Sequence, residues 1–228
     1  MKILAIDTAT EGCSAALLND DEIITRLEVV PRKHADLILP MLDEILAEAQ
    51  LSVKQLDALA FGRGPGAFTG VRIATGVIQG IAFGSDLPVV PVSTLRALAQ
   101  RTYNEYQHKS VLTAFDARMD EVYWAEYELD ENEIMRLQGE EQVIAPQHVI
   151  LSSSQQQWVG SGSGWAAYTD DLKQAVSTDL ISLYPDMITR ADEIVALASH
   201  DFESGMAVSA ENALPVYLRN KVAKKKSA

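Results

Sequence analysis

Hydrophobic residues along the chain follow two different periods, which predict an alternation of strands and helices. Between residues 2 and 30, apolar and polar positions alternate in three short runs, as half-buried strands require. In 37–49 the apolar residues recur at helical spacing, and Pro40 must either kink this helix or lie in its first turn. In chain order, the pattern predicts strands over 2–6, 13–18 and 22–30, a helix over 37–49, a strand over 58–61, a helix over 70–83, a strand over 88–92, and a helix that Ser93 caps and that ends near Arg101.

The second half of the chain repeats this order in a degraded form. The segment 112–118 echoes the segment 4–10, since each contains a strand that ends in an aspartate, Asp116 and Asp7 respectively. The other predicted elements of this copy are strands over 122–128 and 133–143 and a passage from a strand to a glycine-rich loop over 158–164. The duplication predicts an α/β fold of two related lobes with a cleft between them. We place the first lobe at 1–104 and the second at 105–228, the latter with a C-terminal helix and a basic tail.

The segment 61–72 is a glycine-dense turn between a predicted apolar strand and a predicted helix. Glycines allow the backbone to take positive φ or to approach another surface closely, and the first N–H groups of a helix attract anions. The turn is not a Walker loop, because no Gly-Lys-Ser or Gly-Lys-Thr follows it. Two interpretations remain: a contact with a nucleotide, for which the candidate residues are Asp7, Thr8, Gly64 and Gly66, or a turn with a purely structural role.

Composition restricts the classes of function that the chain can have. An apolar content of 47% over 228 residues is enough to bury a substantial core. The net charge is −13, from 32 acidic and 19 basic residues, and this charge opposes the binding of nucleic acid by the chain alone. The basic tail that contains Lys221 and Lys224 is expected to be a solvated end.

The chain also lacks the sequence features of membrane and disulfide-bonded proteins. No run of about 18 apolar residues appears, and the first apolar stretch meets Asp7 too early for the core of a signal peptide. The single cysteine, Cys13, cannot form an internal disulfide and is expected to be an inert core thiol. We therefore expect a cytoplasmic protein with no contact to a membrane.

Three glycines in the predicted helix over 70–83 and just after it are the best sequence evidence for a protein partner. Gly76, Gly80 and Gly84 are spaced four residues apart and therefore share one face of a helix. Each weakens the helix by about 1 kcal/mol relative to alanine, and a closely approaching backbone would offset that loss. That neighbour is either the chain's own helix over 37–49 or a helix of another protein.

Four segments together resemble the TsaB family, also called YeaZ, which serves bacterial tRNA threonylcarbamoyladenosine synthesis. These segments are 3–10, 62–72, 116–124 and 215–219. The most specific is Gly-Arg-Gly-Pro-Gly-Ala-Phe-Thr-Gly-Val-Arg at 62–72, followed in the expected order by Asp-Ala-Arg-Met-Asp-Glu-Val-Tyr from Asp116. The similarity extends over nearly the whole chain.

The resemblance implies the ASKHA fold, which actin, sugar kinases and Hsp70 share, and a role as a non-catalytic partner of the paralogue TsaD. TsaD transfers the threonylcarbamoyl group to N6 of the adenosine 3′ of the anticodon, in tRNAs that read codons starting with A. The resemblance also implies that the ATPase TsaE joins the pair, that tRNA is met only through the complex, and that the chain forms a homodimer when TsaD is absent. The resemblance implies that this chain requires no cofactor, and it leaves ATP or ADP as a candidate ligand at the junction of the complex. The first-lobe residues assigned to the interface are Leu37, Met41, Ile45, Arg72, Gly76, Gly80 and Gly84.

The resemblance and the residues both predict a chain without catalytic or metal-binding side chains. In TsaD, histidines that hold a metal ion lie in the stretch corresponding to 91–98, and this chain has no histidine there. Its four histidines lie in separate elements without ligand spacing. Two alternatives stay open: a peptidase, for which no nucleophile and base pair can be assembled from spacing, and a small-molecule kinase, in which Asp7 would orient Mg²⁺ instead of accepting hydrogen bonds from the turn after the first strand.

Overall fold

The structure is a computed structural model that describes residues 1–30, 32–152, 157–176 and 179–219. These residues fold into two five-stranded mixed sheets and six α-helices. The strands are β1 (Lys2–Asp7), β2 (Cys13–Asn19), β3 (Glu22–Glu28), β4 (Ala58–Gly62), β5 (Val89–Val92), β6 (Ser110–Asp116), β7 (Val122–Leu129), β8 (Met135–Ile144), β9 (Gln157–Ser161) and β10 (Asp179–Tyr184). The helices are α1 (His34–Glu48), α2 (Phe68–Ser85), α3 (Thr94–Tyr106), α4 (Ser163–Ala167), α5 (Thr169–Val176) and α6 (Ala191–Glu203). The predicted basic tail lies outside the described residues.

The two sheets have the same topology, which confirms the predicted duplication and the ASKHA fold. The first sheet has the strand order β3-β2-β1-β4-β5, and the second has the order β8-β7-β6-β9-β10. In each sheet the first three strands form an antiparallel meander. The fourth strand pairs in parallel with the first strand of the meander, and the fifth pairs in parallel with the fourth. Parallel additions need crossover connections, and three of these connections contain helices: α1 between β3 and β4, α2 between β4 and β5, and the pair α4 and α5 between β9 and β10.

Most element boundaries lie close to the predicted ones, and local chemistry explains both agreements and differences. Ser93 caps α3 by accepting a hydrogen bond from the Arg96 N–H. The helix continues beyond the predicted Arg101 and ends where Gln107 takes a left-handed conformation with φ 59°. Pro40 lies inside α1, beyond its first turn, on the exposed side of the helix. β8 begins at Met135 because Glu133 still belongs to the preceding turn, with φ 60°.

Helices cover both faces of the first sheet. On one face, α1 and α2 pack their apolar sides on β1, β2 and β4. On the other face lies α6, whose Ile194, Val195 and Leu197 pack on a sheet surface rich in alanine. The last α-helix of the described chain therefore completes the core of the first sheet. The division after residue 104 stays a prediction, since α3 runs across it.

The second sheet is covered by α3 on one face and by α4 and α5 on the other. Trp158 and Trp165 are fully buried on the α4 side, where the Trp165 indole N–H donates to the Leu112 carbonyl over 2.9 Å. Among the described helices, none is long and apolar enough to cross a membrane. The helix α3 packs on the second sheet and also contributes to the core between the first sheet and α6. It therefore belongs to the packing of both halves of the molecule.

A buried carboxyl on α6 makes the stability of this arrangement depend on pH. Glu193 is 5% exposed, and burial, followed by the nearby Asp192 charge, raises its pKa from 4.5 to about 8. The folded chain therefore binds a proton that the unfolded chain releases between these values, so the free energy of unfolding falls as pH rises from 4.5 to 8. We expect a loss of several kcal/mol, since one pKa unit corresponds to about 1.4 kcal/mol.

Urea denaturation at a series of pH values measures this loss in the parent chain and in Glu193→Gln. The variant should show a much flatter dependence, because glutamine has no proton to release. The matched control is Glu203→Gln, which changes an exposed glutamate at the end of the same helix and should keep the parent slope. An equal slope in Glu193→Gln and the parent would contradict the assignment.

Candidate functional site

The glycine loop, residues 62–70, packs directly on the turn that follows β1. A Cβ atom at Gly70 would lie 1.9 Å from the Thr8 carbonyl oxygen, and one at Gly66 would lie 2.4 Å from the Ala9 carbonyl oxygen. The two segments are joined by hydrogen bonds from the Ala67 N–H to the Ala9 carbonyl, 2.8 Å, and from the Thr8 hydroxyl to the Gly70 carbonyl, 2.7 Å. Glycine is therefore required here because backbone meets backbone.

Asp7 lies beneath this contact and is fully buried. One carboxylate oxygen accepts from the Ala9 N–H over 3.0 Å, and the other accepts from the Thr189 hydroxyl. Burial raises the pKa of Asp7, and these hydrogen bonds oppose that rise. The interpretation of Asp7 as an acceptor for the following turn is confirmed by the Ala9 contact.

The middle of the glycine loop is held by two other segments of the chain. Gly64 has φ 93°, and its carbonyl accepts from the Thr94 N–H at the start of α3 over 3.1 Å. The Val216 N–H donates to the Arg63 carbonyl over 2.9 Å, so the C-terminal segment lies along the loop. The loop is thereby fixed from three sides.

The four candidate nucleotide contacts lie together, but the chain's own atoms surround them. Asp7, Thr8 and Gly64 are buried, and Gly66 is half-buried. The Thr8 hydroxyl is engaged with the Gly70 carbonyl. A nucleotide would reach these groups only after the loop moved off the β1–β2 turn, and nucleotide contact stays a prediction.

The outward side of α2 forms an exposed, nearly uncharged surface, which we call the open face of α2 and define by Arg72, Gly76, Gly80, Phe83 and Gly84. These five residues are exposed, and Phe83 is 85% exposed. A Cβ atom added at any of the three glycines would meet nothing within 4 Å. The chain's own helix α1 is therefore not the close neighbour of this glycine stripe, and that alternative is wrong.

Arg72 carries the one charge of this 18-residue helix and is held in place by two aromatic rings. Its guanidinium carbon lies 3.4 Å from the centre of the Phe68 ring. Its Nε donates to the hydroxyl of Tyr217 over 3.0 Å, and both rings are about half exposed. The sequence did not reveal this cluster, because Tyr217 is distant along the chain.

The α1 residues predicted for the interface require a correction. Ile45 is fully buried and Met41 is 5% exposed, and both belong to the core between α1, α2 and the first sheet. Leu37 is half-buried at the edge of that core. Helical periodicity identified the inward side of α1, whereas the apolar side chain that this helix exposes is Leu39, at 50%.

The second lobe contains a weaker copy of the same loop contact. Asp116 ends β6, as Asp7 ends β1, and its Oδ1 accepts from the Arg118 N–H over 2.8 Å. Gly162 and Gly164 approach the backbone of Ala114 in the way that Gly66 and Gly70 approach the β1–β2 turn. Asp116 is half-buried, however, and Arg118 is 86% exposed.

Three of the histidine rings have hydrogen-bond partners in the described chain, and the cysteine thiol is buried. The His34 ring contacts the Thr10 carbonyl, the His108 ring contacts the Tyr184 hydroxyl and the His200 ring contacts Arg136. Burial, followed by the charges of Asp7 and Glu28, raises the pKa of Cys13 to about 11, so its thiol stays protonated. Over residues 1–30, 32–152, 157–176 and 179–219, no three His, Cys, Asp or Glu side chains form a group that could hold a metal ion.

Alanine substitutions distinguish a glycine that contacts backbone, such as Gly70, from a glycine in open space, such as Gly76. Gly70→Ala should lower the free energy of unfolding by about 3 kcal/mol or more, because its Cβ meets the Thr8 carbonyl oxygen. Gly76→Ala, the matched change on the same helix, should raise it by about 1 kcal/mol, because the site is open and alanine favours the helix. Urea denaturation at a protein concentration low enough to keep the chain monomeric measures both. Equal effects of the two variants would contradict the close contact.

Comparison with known proteins agrees with the sequence resemblance. A family model described as TsaD, tRNA N6-adenosine threonylcarbamoyltransferase, matches residues 23–227. The Escherichia coli (strain K12) tRNA threonylcarbamoyladenosine biosynthesis protein TsaB is 46% identical over an alignment of 230 positions, which covers 99% of this chain and 98% of that protein.

Two solved structures from Pseudomonas aeruginosa have the same fold as this chain. One is YeaZ, with a TM-score of 0.89 and 46% identity over 95% of this chain and 99% of that one. The other, described as an uncharacterized protein with similarity to peptidase YEAZ, has a TM-score of 0.89 and 45% identity over 96% of this chain and 99% of that one. The chain belongs to the TsaB family, also called YeaZ, of proteins that take part in tRNA threonylcarbamoyladenosine biosynthesis.

Proposed function

We propose that this chain is a non-catalytic partner of the TsaD transferase in the formation of threonylcarbamoyladenosine in tRNA. The observation that carries this proposal is the open face of α2, which combines three uncovered glycines with an 85% exposed phenylalanine. Membership of the TsaB family indicates that the chain takes part in tRNA threonylcarbamoyladenosine biosynthesis. The open face of α2 offers the surface at which a partner protein would dock.

The glycine stripe requires a neighbour outside the chain. Each glycine weakens α2 by about 1 kcal/mol relative to alanine, and no contact within the described chain offsets that loss. A partner backbone that approaches along the stripe gains dispersion contacts that side chains would prevent. The open face therefore fits a helix packed closely against α2.

The chemistry around the stripe is also that of a protein interface. Half-buried Ile73, Val77 and Ile81 flank the glycines on α2, and Phe83 projects beside Gly84. Arg72, stacked on Phe68 and bonded to Tyr217, stands at one end of the helix. Aromatic residues and arginine are enriched in interfaces, while most other charges are depleted.

The open face defines the interface with TsaD in this proposal, together with the half-buried Leu37. Met41 and Ile45 support α2 from below and do not contact the partner. The same face joins two copies of the chain when TsaD is absent. TsaE joins the complex of the two proteins, and tRNA is bound through the complex because the net charge of −13 repels it from this chain alone.

Several features of the site support the absence of catalysis by this chain. The β1–β2 turn packs against the glycine loop and leaves no space between them. The buried Asp7 carboxylate accepts hydrogen bonds from the Ala9 N–H and the Thr189 hydroxyl. The contacts of the three histidine rings at positions 34, 108 and 200 are not with a serine or cysteine nucleophile. The chain requires no cofactor in this proposal, and ATP or ADP would bind at the junction with TsaD.

A large side chain in the glycine stripe should weaken the complex with TsaD without lowering the stability of the folded chain. In Gly80→Leu the new side chain enters open space, so the melting temperature should not fall at a concentration where the chain is monomeric, while the affinity for TsaD should decrease by roughly tenfold or more. Calorimetric titration of TsaD into the purified variant measures the affinity. Ala166→Leu, at an exposed alanine of the second lobe, is the matched control and should bind as the parent does. Parent affinity in Gly80→Leu would refute the interface.

Asp7 provides a separate test of catalysis. Asp7→Asn preserves the size of the side chain and its acceptor for the Ala9 N–H, but it removes the carboxylate. Because we assign Asp7 to the turn, the reconstituted system should modify tRNA at a rate within a few-fold of the parent. A folded Asp7→Asn chain that binds TsaD normally and yet abolishes modification would place catalysis in this subunit.

A further inference from the structure

A cavity of about 360 Å³ lies between the two halves of the chain, away from the open face of α2. Its walls come from the end of β4, from β5 and the start of α3, from β7 and β8, and from the end of α6 and the segment after it. The polar and charged lining residues are Arg63, Ser93, Arg96, Tyr127, Glu141 and Asp201. This volume is in the range of sites for small molecules.

An unpaired cation and an unpaired anion line this cavity. The Arg63 side chain forms no ion pair or hydrogen bond with any described residue, although Arg63 is only partly exposed. The Glu141 carboxylate accepts hydrogen bonds from the Tyr127 hydroxyl, 2.7 Å, and from the Ser93 hydroxyl, but no basic group of the described chain pairs with it. Arg63 and Glu141 do not pair with each other, so two opposite charges remain available in one cavity.

A second charged pair in the same cavity is incompletely satisfied. Arg96 and Asp201 are joined by a bond of 2.6 Å between Nη1 and Oδ2, and their side chains are 13% and 5% exposed. Arg96 Nη2, Asp201 Oδ1 and Arg63 Nε are nevertheless buried without a hydrogen-bond partner in the described part of the chain. A buried polar atom without a partner destabilises a protein by about 1–3 kcal/mol, and these three atoms, which lie behind the cavity surface, place uncompensated charge of both signs in its wall.

We propose that this cavity binds a free α-amino acid, with the ligand carboxylate at Arg63 and the ligand ammonium at Glu141. An anion alone would meet the carboxylates of Glu141 and Asp201, and a cation alone would meet the guanidinium groups of Arg63 and Arg96. A zwitterion satisfies both signs of charge at once. Apolar residues complete the lining and offer a surface for the ligand side chain: Val90, Pro91, Leu137, Met206 and Val208.

Two further observations agree with this assignment. Leu137 and Met206 are 40% and 47% exposed, so part of the lining contacts solvent. The pKa of Tyr127 is raised well above its usual value by burial and then by the Glu141 charge. Its hydroxyl therefore stays protonated and orients the Glu141 carboxylate by donating to it. The amino-acid site is independent of the proposed contact with TsaD.

The test is a titration of the full-length chain with each of the standard L-amino acids, followed by thermal melting and calorimetry. At least one should raise the melting temperature and bind, and its N-acetyl and methyl ester derivatives, which each lack one charge, should bind roughly tenfold or more weakly. Binding of inorganic phosphate or of the N-acetyl derivative with equal affinity would overturn the proposal. So would the absence of binding by every amino acid at about 10 mM.

Two variants assign the binding to the cavity. Arg63→Gln and Glu141→Gln should each weaken binding roughly tenfold or more. Glu140→Gln, an exposed neighbour on β8, and Arg118→Gln, an exposed arginine, are the matched controls and should bind as the parent does. If Arg63→Gln fails to fold, Glu141→Gln decides alone, since it keeps the acceptor for Tyr127. Unchanged binding in folded Glu141→Gln would overturn the proposal.

Discussion

The contact between the glycine loop and the turn after β1 is the constraint on which the rest of the structure depends. Gly70 and Gly66 bring their backbone against the carbonyl oxygens of Thr8 and Ala9, at distances that leave no room for a Cβ atom. Because Gly70 lies in the first turn of α2, this contact fixes where the helix begins and how it leaves the sheet. The inward side of α2 then fills the first core, and the three glycines on its outward side have no close neighbour in the described part of the chain. One close backbone contact thus determines both a structural loop and the surface that we assign to a partner.

The fold was largely predictable because its signals are local. Period-2 runs identified the strands, and Ser93 marked the start of α3 through a cap that is present in the structure. The two halves of the chain repeat the same order of elements, which made the duplicated sheets predictable from one half alone. The exact ends of helices and strands were harder to predict, because they depend on single backbone conformations such as the left-handed conformation of Gln107 after α3.

The site was predictable only in part, because it depends on contacts between distant residues. The glycine stripe was visible in the sequence, but whether α1 covered it depended on packing. Periodicity identified the apolar side of α1 and so selected Met41 and Ile45, although an apolar side of a helix faces the core first. The interlobe cavity had no sequence signal, since Arg63 and Glu141 are distant along the chain and Arg63 stands in the glycine-rich segment without any indication of its partner.

The placement of α6 has a consequence for the order in which the protein can mature on the ribosome. One face of the first sheet, which includes Ile3, Ala5 and Val90, is covered by a helix that is made only after the whole second sheet. Until Ala191–Glu203 leaves the exit tunnel, the amino-terminal half presents that apolar face to solvent. In this architecture the first half therefore completes its native core only once α6 is available, and the aggregation-prone face stays uncovered throughout synthesis of the second sheet.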